Sequence, residues 1–274
     1  MDSIFTLLKG LVIGGTMLVP GVSGGSMAMI LGIYNRLITS VSSFFKNIKK
    51  NTLFLAIFVV GALAGMVLFA KPLLGLINRH PKPMLYFFIG AALGGVPLMY
   101  KESQVKKISS KHVIFILVGI LIVTLLGLLP TNVFSAESSS GIIRIVLLLI
   151  AGFIAALALI LPGISVSYML LVLGLYEPTM TAISEFDILF LMPLGIGVVL
   201  GILLTTRLLE TVMTKFPSIT YMVILGFILG SLAETFPGIP SGIEWLICIL
   251  TFAAGFAIIY ILSRLESLKS TESN

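Results

Sequence analysis

A motif near the N-terminus recurs in the second half of the chain, and this duplication limits the possible folds more than any other feature. The first motif is Leu18-Val-Pro-Gly-Val-Ser-Gly-Gly-Ser-Met-Ala-Met-Ile-Leu-Gly-Ile-Tyr34, and the second motif runs over 161–176. The offset between them is 142 (162 minus 20), and downstream of the motifs it becomes 136 (197 minus 61). At these offsets the matched residues include Pro20/Pro162, Gly21/Gly163, Ser23/Ser165, Gly32/Gly174, Tyr34/Tyr176, Gly61/Gly197, Gly65/Gly201, Lys71/Arg207, Gly90/Gly226 and Gly94/Gly230. The pattern predicts two structurally related halves.

Each motif interrupts an apolar segment that would otherwise form one membrane helix. Proline removes a backbone donor and clashes with the preceding turn, and glycine lowers helix stability. We therefore expect the first helix to end at Pro20 and the next helix to begin near Ser26. Non-helical backbone at membrane depth is stable only where protein buries it or water reaches it, so each interruption predicts a binding site.

Composition assigns the chain to the integral membrane proteins. Of its 274 residues, 58% are hydrophobic and 10% are charged, whereas about 25% of the residues in a soluble domain are charged. The net charge of +6 reflects Lys and Arg in cytoplasmic loops, so no nucleic-acid partner is expected. The single cysteine, Cys248, allows no internal disulfide. His80 and His112 lack partners at metal-ligand spacing, and no catalytic motif is present, so we expect neither an enzyme nor a cofactor or metal.

The predicted fold is an all-α polytopic membrane protein with two inverted-topology repeats, each a re-entrant helical hairpin plus three transmembrane helices. The first repeat is predicted over 1–136, the second over 137–264, and a cytoplasmic tail over 265–274. The hairpins are expected over 4–45, with helices at 4–19 and 26–45, and over 141–184. The six spans, each near the roughly 20 residues that a bilayer requires, are predicted at 52–77, 84–100, 112–129, 188–209, 220–236 and 243–262. If both arms of each hairpin cross fully, the count becomes ten spans.

Loop charges predict the orientation. Most loop cations fall on one face if the N-terminus is inside, and the polar stretch 131–140 has no Lys or Arg. By the positive-inside rule both termini are then cytoplasmic. Arg79 and Lys82 are exceptions on the outer face. In each half the hairpin returns to its own side and three spans cross the membrane, which is an odd number. The second half therefore starts on the opposite side and is inverted relative to the first.

The two interruptions have the chemistry of an anion site. Freed backbone N–H groups beside small residues, at the positive end of a helix, attract groups such as phosphate. A kink with close packing is the alternative interpretation, but two kinks at matched positions favour binding. The candidate binding residues in the motifs are Pro20, Gly21, Ser23, Gly24, Gly25, Ser26, Pro162, Gly163, Ser165 and Ser167.

Three basic residues extend this candidate site. Lys71 and Arg207 match across the repeat, and inversion would put one toward each side of the membrane as an anion-attracting group. Arg36 follows the first motif and could bind a phosphate through two hydrogen bonds. The alternatives are snorkelling to the interface for Lys71 and Arg207 and a topology signal for Arg36.

The motif Pro-Gly-Val-Ser-Gly-Gly-Ser, its Pro-Gly-Ile-Ser partner, and the Leu-Gly-Ile-Tyr and Leu-Gly-Leu-Tyr that follow resemble the PopT family of bacterial polyprenyl-phosphate transporters. The resemblance implies a plasma-membrane protein that moves undecaprenyl phosphate from the outer to the cytoplasmic leaflet for reuse in cell-wall synthesis. The second motif departs from the first, with Val166 and Ser167 where Gly24 and Gly25 stand, so the two halves need not have equal roles.

Several properties stay open at this point. Besides the polyprenyl phosphate and the surrounding membrane lipids, coupling to a proton or sodium gradient and homo-oligomerisation are both compatible with the sequence. Two other functions also fit: an ion-coupled exporter of a small anion, and a membrane polyprenyl-diphosphate phosphatase. The phosphatase would need a carboxylate or histidine beside a motif to activate water, and neither motif has one.

Overall fold

A computed structural model describes residues 2–17, 23–129 and 141–272, and these ranges are largely helical and contain no strand. The helices of the first half are α1 (Asp2–Thr16), α2 (Gly24–Ile30), α3 (Tyr34–Ser42), α4 (Ile48–Arg79), α5 (Pro81–Gly94), α6 (Val96–Glu102) and α7 (Ser110–Gly127). The helices of the second half are α8 (Gly141–Ile160), α9 (Val166–Val172), α10 (Tyr176–Glu185), α11 (Ile188–Lys215), α12 (Pro217–Thr235) and α13 (Glu244–Glu272).

Six helical segments in the described residues are long and apolar enough to cross a membrane. They are Ile48–Arg79, Pro81–Glu102, Ser110–Gly127, Gly141–Ile160, Ile188–Lys215 and Glu244–Leu262. Six spans were also predicted, but the six found are not the same six segments. The first arm of the second hairpin, α8, is included, and the predicted span 220–236 falls on a shorter apolar helix, Pro217–Ala233. In contrast, α1 has 15 residues, which at about 1.5 Å each is too short for a 30 Å bilayer core.

The predicted single helix over 26–45 is wrong, because the chain turns at Gly32. Gly32 has φ +66 and Gly174, at the matched position, has φ +70. The N–H of Ile33 donates to the carbonyl of Ala28, which closes a Schellman turn that ends α2. The same turn ends α9, so each half has one short helix within its motif and a second that begins at the motif's last residue. Beyond the last candidate span, which ends at Leu262, α13 continues to Glu272.

Four helix pairs form the bundle: α1 with α4, α8 with α11, α5 with α13, and α7 with α12. Glycines bring the backbones of each pair together. A Cβ on Gly61 would lie 2.3 Å from the Leu7 carbonyl oxygen, and one on Gly197 would lie 2.1 Å from that of Leu149. These two contacts are equivalent in the repeat, because Gly197 lies 136 positions after Gly61 and Leu149 lies 142 positions after Leu7. Small residues at matched positions thus set the closest crossings of the bundle.

The two helices of each pair run parallel, because successive contacts advance along both chains. On α4, Gly61 faces Leu7 of α1 and Gly65 faces Leu11. The equivalent contacts in the other three pairs are Gly197 with Leu149 and Gly201 with Phe153, Gly90 with Phe252 and Gly94 with Phe256, and Gly226 with Ile116 and Gly230 with Ile120. Paired helices therefore begin at the same end of the bundle.

A salt bridge joins the two halves at the end where α5 and α13 begin. The Lys82 ammonium lies 3.1 Å from a carboxylate oxygen of Glu244. Lys82 was an exception to the loop-charge pattern, and Glu244 places the opposite charge beside it. The pairing offsets the cation at that end of the bundle.

Candidate functional site

The two motifs contact one another in the interior of the protein. The Tyr34 hydroxyl donates a hydrogen bond of 2.8 Å to the carbonyl of Ile160, the last residue of α8. A Cβ on Gly25 would lie 3.0 Å from that same carbonyl oxygen and 3.3 Å from Cα of Pro162. Tyr34, Ile160 and Pro162 are all buried. The end of α8, which has no intrahelical donor for its last carbonyls, is therefore held by the first motif.

In the first motif, Pro20 and Gly21 lie outside the described residues. Ser23 is buried and immediately precedes α2 with extended backbone, but its side chain does not cap the helix. A Cβ on Gly24 would meet the flexible side chain of Met17, 2.8 Å from its sulfur. Ser26 is 7% exposed, and its hydroxyl has no hydrogen-bond partner among the described residues.

The second motif makes a tighter turn. Gly163 has φ +85, a left-handed conformation that favours glycine, and a Cβ there would lie 2.5 Å from the Phe227 carbonyl oxygen of α12. The hydroxyl of Ser165 caps α9 by accepting a hydrogen bond of 3.3 Å from the Tyr168 N–H. Ser167 lies in the first turn of α9, and its side chain is outside what the structure describes. The two motifs therefore differ: Ser165 has a local partner and Ser26 has none.

Three buried hydroxyls in the described residues have no hydrogen-bond partner: Ser26, Thr179 and Thr205. An unsatisfied buried group of this kind costs about 1–3 kcal/mol, so each is a candidate contact for a bound molecule. Sequence reasoning found Ser26 but not the threonines. Threonines in apolar helices commonly bond their own backbone, as Thr206 does to the Ile202 carbonyl at 2.7 Å, so no sequence signal marked the other two.

The three predicted basic residues do not join this buried contact. Lys71 on α4 and Arg207 on α11 are exposed. Arg36 is also exposed, and its guanidinium carbon lies 4.3 Å from the ring centroid of Phe54, within cation–π range. The structure therefore brings the two motifs together and leaves the cations on the surface of the bundle.

Two polar contacts between the halves were not predicted. The Ser42 hydroxyl of α3 donates a 2.5 Å hydrogen bond to the Glu210 carboxylate of α11. On the same helix, the Asn35 amide lies 2.9 Å from the Tyr221 hydroxyl of α12. Glu210 is an acidic residue within an apolar helix, and that signal could have identified it.

Most of the chain matches known proteins, and the matches agree with one another. Residues 13–247 match the family described as undecaprenyl phosphate translocase-like. A polyprenyl-phosphate transporter of Staphylococcus aureus is 35% identical over 275 residues, covering 95% of this chain and 96% of that relative. A polyprenyl-phosphate transporter of Vibrio cholerae is 31% identical over 257 residues, covering 86% of this chain and 79% of that relative. No solved structure matches this chain.

These matches confirm the resemblance that the motifs carry. Both relatives are named as transporters, which agrees with the prediction of a non-enzyme. The similarity to the Staphylococcus aureus relative covers 95% of this chain, far more than the two motifs. The chain therefore belongs to the undecaprenyl phosphate translocase-like family.

Proposed function

We propose that this protein carries a polyprenyl phosphate, specifically undecaprenyl phosphate, from the outer to the cytoplasmic leaflet of the plasma membrane for reuse in cell-wall synthesis. Its relatives are named polyprenyl-phosphate transporters. The observation that carries the proposal is the buried contact between the two motifs, where Tyr34 and Gly25 meet the end of α8. Two interrupted helices meeting inside an apolar bundle are typical of transporter binding sites.

The proposed architecture is a pair of inverted repeats with both termini cytoplasmic. His80 alone separates α4 from α5, and Phe216 alone separates α11 from α12, so each of these spans starts where the previous one ends. The two helices of each of the four pairs are parallel. If each span crosses the bundle once, tracing the chain from α4 to α11 places the start of α1 and the start of α8 at opposite ends of the bundle. This path through the chain supports inversion of the two hairpins, and the short α1 favours re-entry in the first half.

The phosphate head would bind where the motifs meet. The first N–H groups of α2 have no intrahelical acceptor, and the Ser26 hydroxyl beside them is buried and unpartnered. Helices α2 and α9 have seven residues each, so individual donors, rather than a helix dipole, would hold the anion. In the second motif, Pro162 and Gly163 would keep the backbone out of the helix so that the first N–H groups of α9 stay available.

The isoprenoid tail would remain in lipid while the head crosses. The cost of a charged head inside the bilayer is several kcal/mol or more, and donors at the motifs offset only part of it. Lys71 and Arg207, exposed on α4 and α11, would attract the head at opposite mouths of the pathway. We further propose alternating access, in which the head enters from one face and leaves from the other as the halves move.

A vesicle assay tests the substrate. Purified protein is reconstituted with labelled polyprenyl phosphate in one leaflet, and the label in each leaflet is followed with time. We expect transfer well above that of protein-free vesicles, without competition by inorganic phosphate. Competition by small anions would point to an anion exporter, and release of phosphate from a polyprenyl diphosphate would point to a phosphatase; either result overturns the proposal.

Variants then test the site. Ser26→Ala removes the unpartnered hydroxyl and should lower transport about tenfold, the effect of losing one hydrogen bond to a charged group. Ser231→Ala is the matched control, since that buried hydroxyl already bonds the Ile228 carbonyl at 2.9 Å, and it should leave transport unchanged.

Alanine at Lys71 or Arg207 should also lower the transport rate, whereas Arg79→Ala, at the end of the same helix as Lys71, should not. The expected loss is smaller than for Ser26 because exposed cations are screened by solvent and salt. Wild-type rates for both Lys71→Ala and Arg207→Ala would mean that these residues only anchor their helices at the interface.

A further inference from the structure

The two halves make unequal contacts at one pair of equivalent positions. In the first half, α3 packs along α11 of the second half. The repeat offsets make α10 the equivalent of α3 and α4 the equivalent of α11, yet α10 makes no comparable contact with α4 in the described residues. Its helix neighbours there are α9 and α11. An exact two-fold arrangement would contain both contacts or neither.

Burial shows the same inequality at two pairs of equivalent positions. Ile38 on α3 is 5% exposed, whereas Met180, its equivalent on α10 at an offset of 142, is 48% exposed. Met29 on α2 is 5% exposed and its equivalent Leu171 on α9 is 40% exposed. Both members of each pair are apolar and similar in size, so the difference reflects packing rather than residue type.

Polar contacts add to the packing of α3 on the second half. Ser42 bonds Glu210, and Asn35 bonds Tyr221, so α3 is tied to two helices of the second half. This contact lies toward the end of the bundle where α3 leads into α4 and α11 ends at Lys215. The loops at that end are basic. The equivalent helix α10 leads instead to Asp187 at the acidic end.

We propose that the α3–α11 contact is a closed gate at the basic end of the bundle, with Ser42 and Glu210 as its positioning residues. The structure is then the state closed at the basic end and open at the acidic end, and in the opposite state α3 leaves α11 while α10 packs on α4. This inference rests on the proposed alternating access and adds which contact forms in each state. The two contacts exclude one another.

Cysteine pairs test this exclusion. In a Cys248→Ala background, which removes the single native cysteine, Ser42→Cys with Glu210→Cys replaces the bonded pair. The repeat offsets carry these positions to Ser184 (42 plus 142) and Leu74 (210 minus 136), so Ser184→Cys with Leu74→Cys is the matched second pair. Both pairs are oxidised in vesicles with polyprenyl phosphate present, and transport is measured before and after reduction.

We expect the first pair to crosslink without substrate and to block transport reversibly. The second pair should crosslink mainly when substrate is present, also with reversible loss of transport. A first pair that crosslinks without loss of transport would overturn the gate, and so would a second pair that never crosslinks while the reduced protein transports normally. Failure of the unsubstituted protein to move the lipid would instead refute the proposed function.

Glu210 variants provide an independent readout that needs no transport. Glu210→Ala removes the acceptor for Ser42 and should raise the crosslinking yield of the second pair, by a shift of about tenfold in the ratio of the two states. Glu210→Gln keeps a hydrogen-bond acceptor and should change this yield little. If both variants leave the yield at the parent level, Glu210 does not hold the gate.

Discussion

Gly25 of the first motif packs directly against the backbone of Pro162 in the second motif, and replacing Gly25 with alanine tests that contact. The added Cβ would lie 3.0 Å from the Ile160 carbonyl oxygen and 3.3 Å from both Cα and N of Pro162. All three atoms are backbone, and Pro162 is fully buried, so the neighbours cannot rotate away. Gly25→Ala should therefore push the two motifs apart.

The neighbouring residue supplies the matched control. A Cβ on Gly24 would meet only the side chain of Met17, which can move into another rotamer. Both substitutions gain up to about 1 kcal/mol from the higher helix propensity of alanine. Overpacking costs about 1–3 kcal/mol at Gly25 and little at Gly24. The two variants should therefore differ in stability by about 1–3 kcal/mol, with Gly25→Ala the less stable.

The assay is thermal unfolding of the purified variants in one detergent, followed by transport in vesicles. Gly25→Ala should melt several degrees below Gly24→Ala and should transport more slowly. If Gly25→Ala melts at or above the temperature of Gly24→Ala and transports equally fast, the motifs are not packed as described, and the proposed site between them loses its basis.

Two further substitutions probe the same region. Tyr34→Phe leaves the buried Ile160 carbonyl without its donor and should cost about 1–3 kcal/mol of unfolding free energy. Tyr86→Phe, which loses a longer hydrogen bond of 3.4 Å, should cost less. Equal melting temperatures for the two variants would contradict this expectation. Gly163→Ala combines a left-handed φ with a Cβ that would lie 2.5 Å from the Phe227 carbonyl oxygen. It should lower the yield of folded protein far more than Gly195→Ala, where a Cβ would have open space. Similar yields of the two variants in size-exclusion chromatography would refute this prediction.

The sequence was informative where local chemistry decides the structure. Apolar runs predicted five of the six candidate membrane spans in the described residues, and the matched glycines are the residues at which backbones meet, as at Gly61 and Gly197. The turn at Gly32 was missed although its signal was present: glycine recurs at the matched position Gly174, and both have positive φ. A glycine that ends a helix and one that packs a helix are alike in sequence, and only the hydrogen bonds distinguish them.

Long-range contacts could not be predicted, because they depend on how the helices pack. Nothing near Ser42 in sequence indicates that it bonds Glu210, which is 168 positions away. The exposure of Lys71 and Arg207 is likewise a property of the helix face that packing selects. The inequality between α3 and α10 is also set by packing, although one sequence difference accompanies it: Leu74 stands at the position equivalent to Glu210, the partner of Ser42.

The central claim is that the phosphate head binds where the two motifs meet. The most direct measurement uses a polyprenyl phosphate with a photoreactive group next to its phosphate, crosslinked to the protein in vesicles and mapped by mass spectrometry. We predict that peptides containing residues 18–34 and 161–176 are both labelled, and that unlabelled polyprenyl phosphate suppresses the labelling. Labelling confined to the basic loops or to the outer faces of α4 and α13, with neither motif modified, would contradict the account.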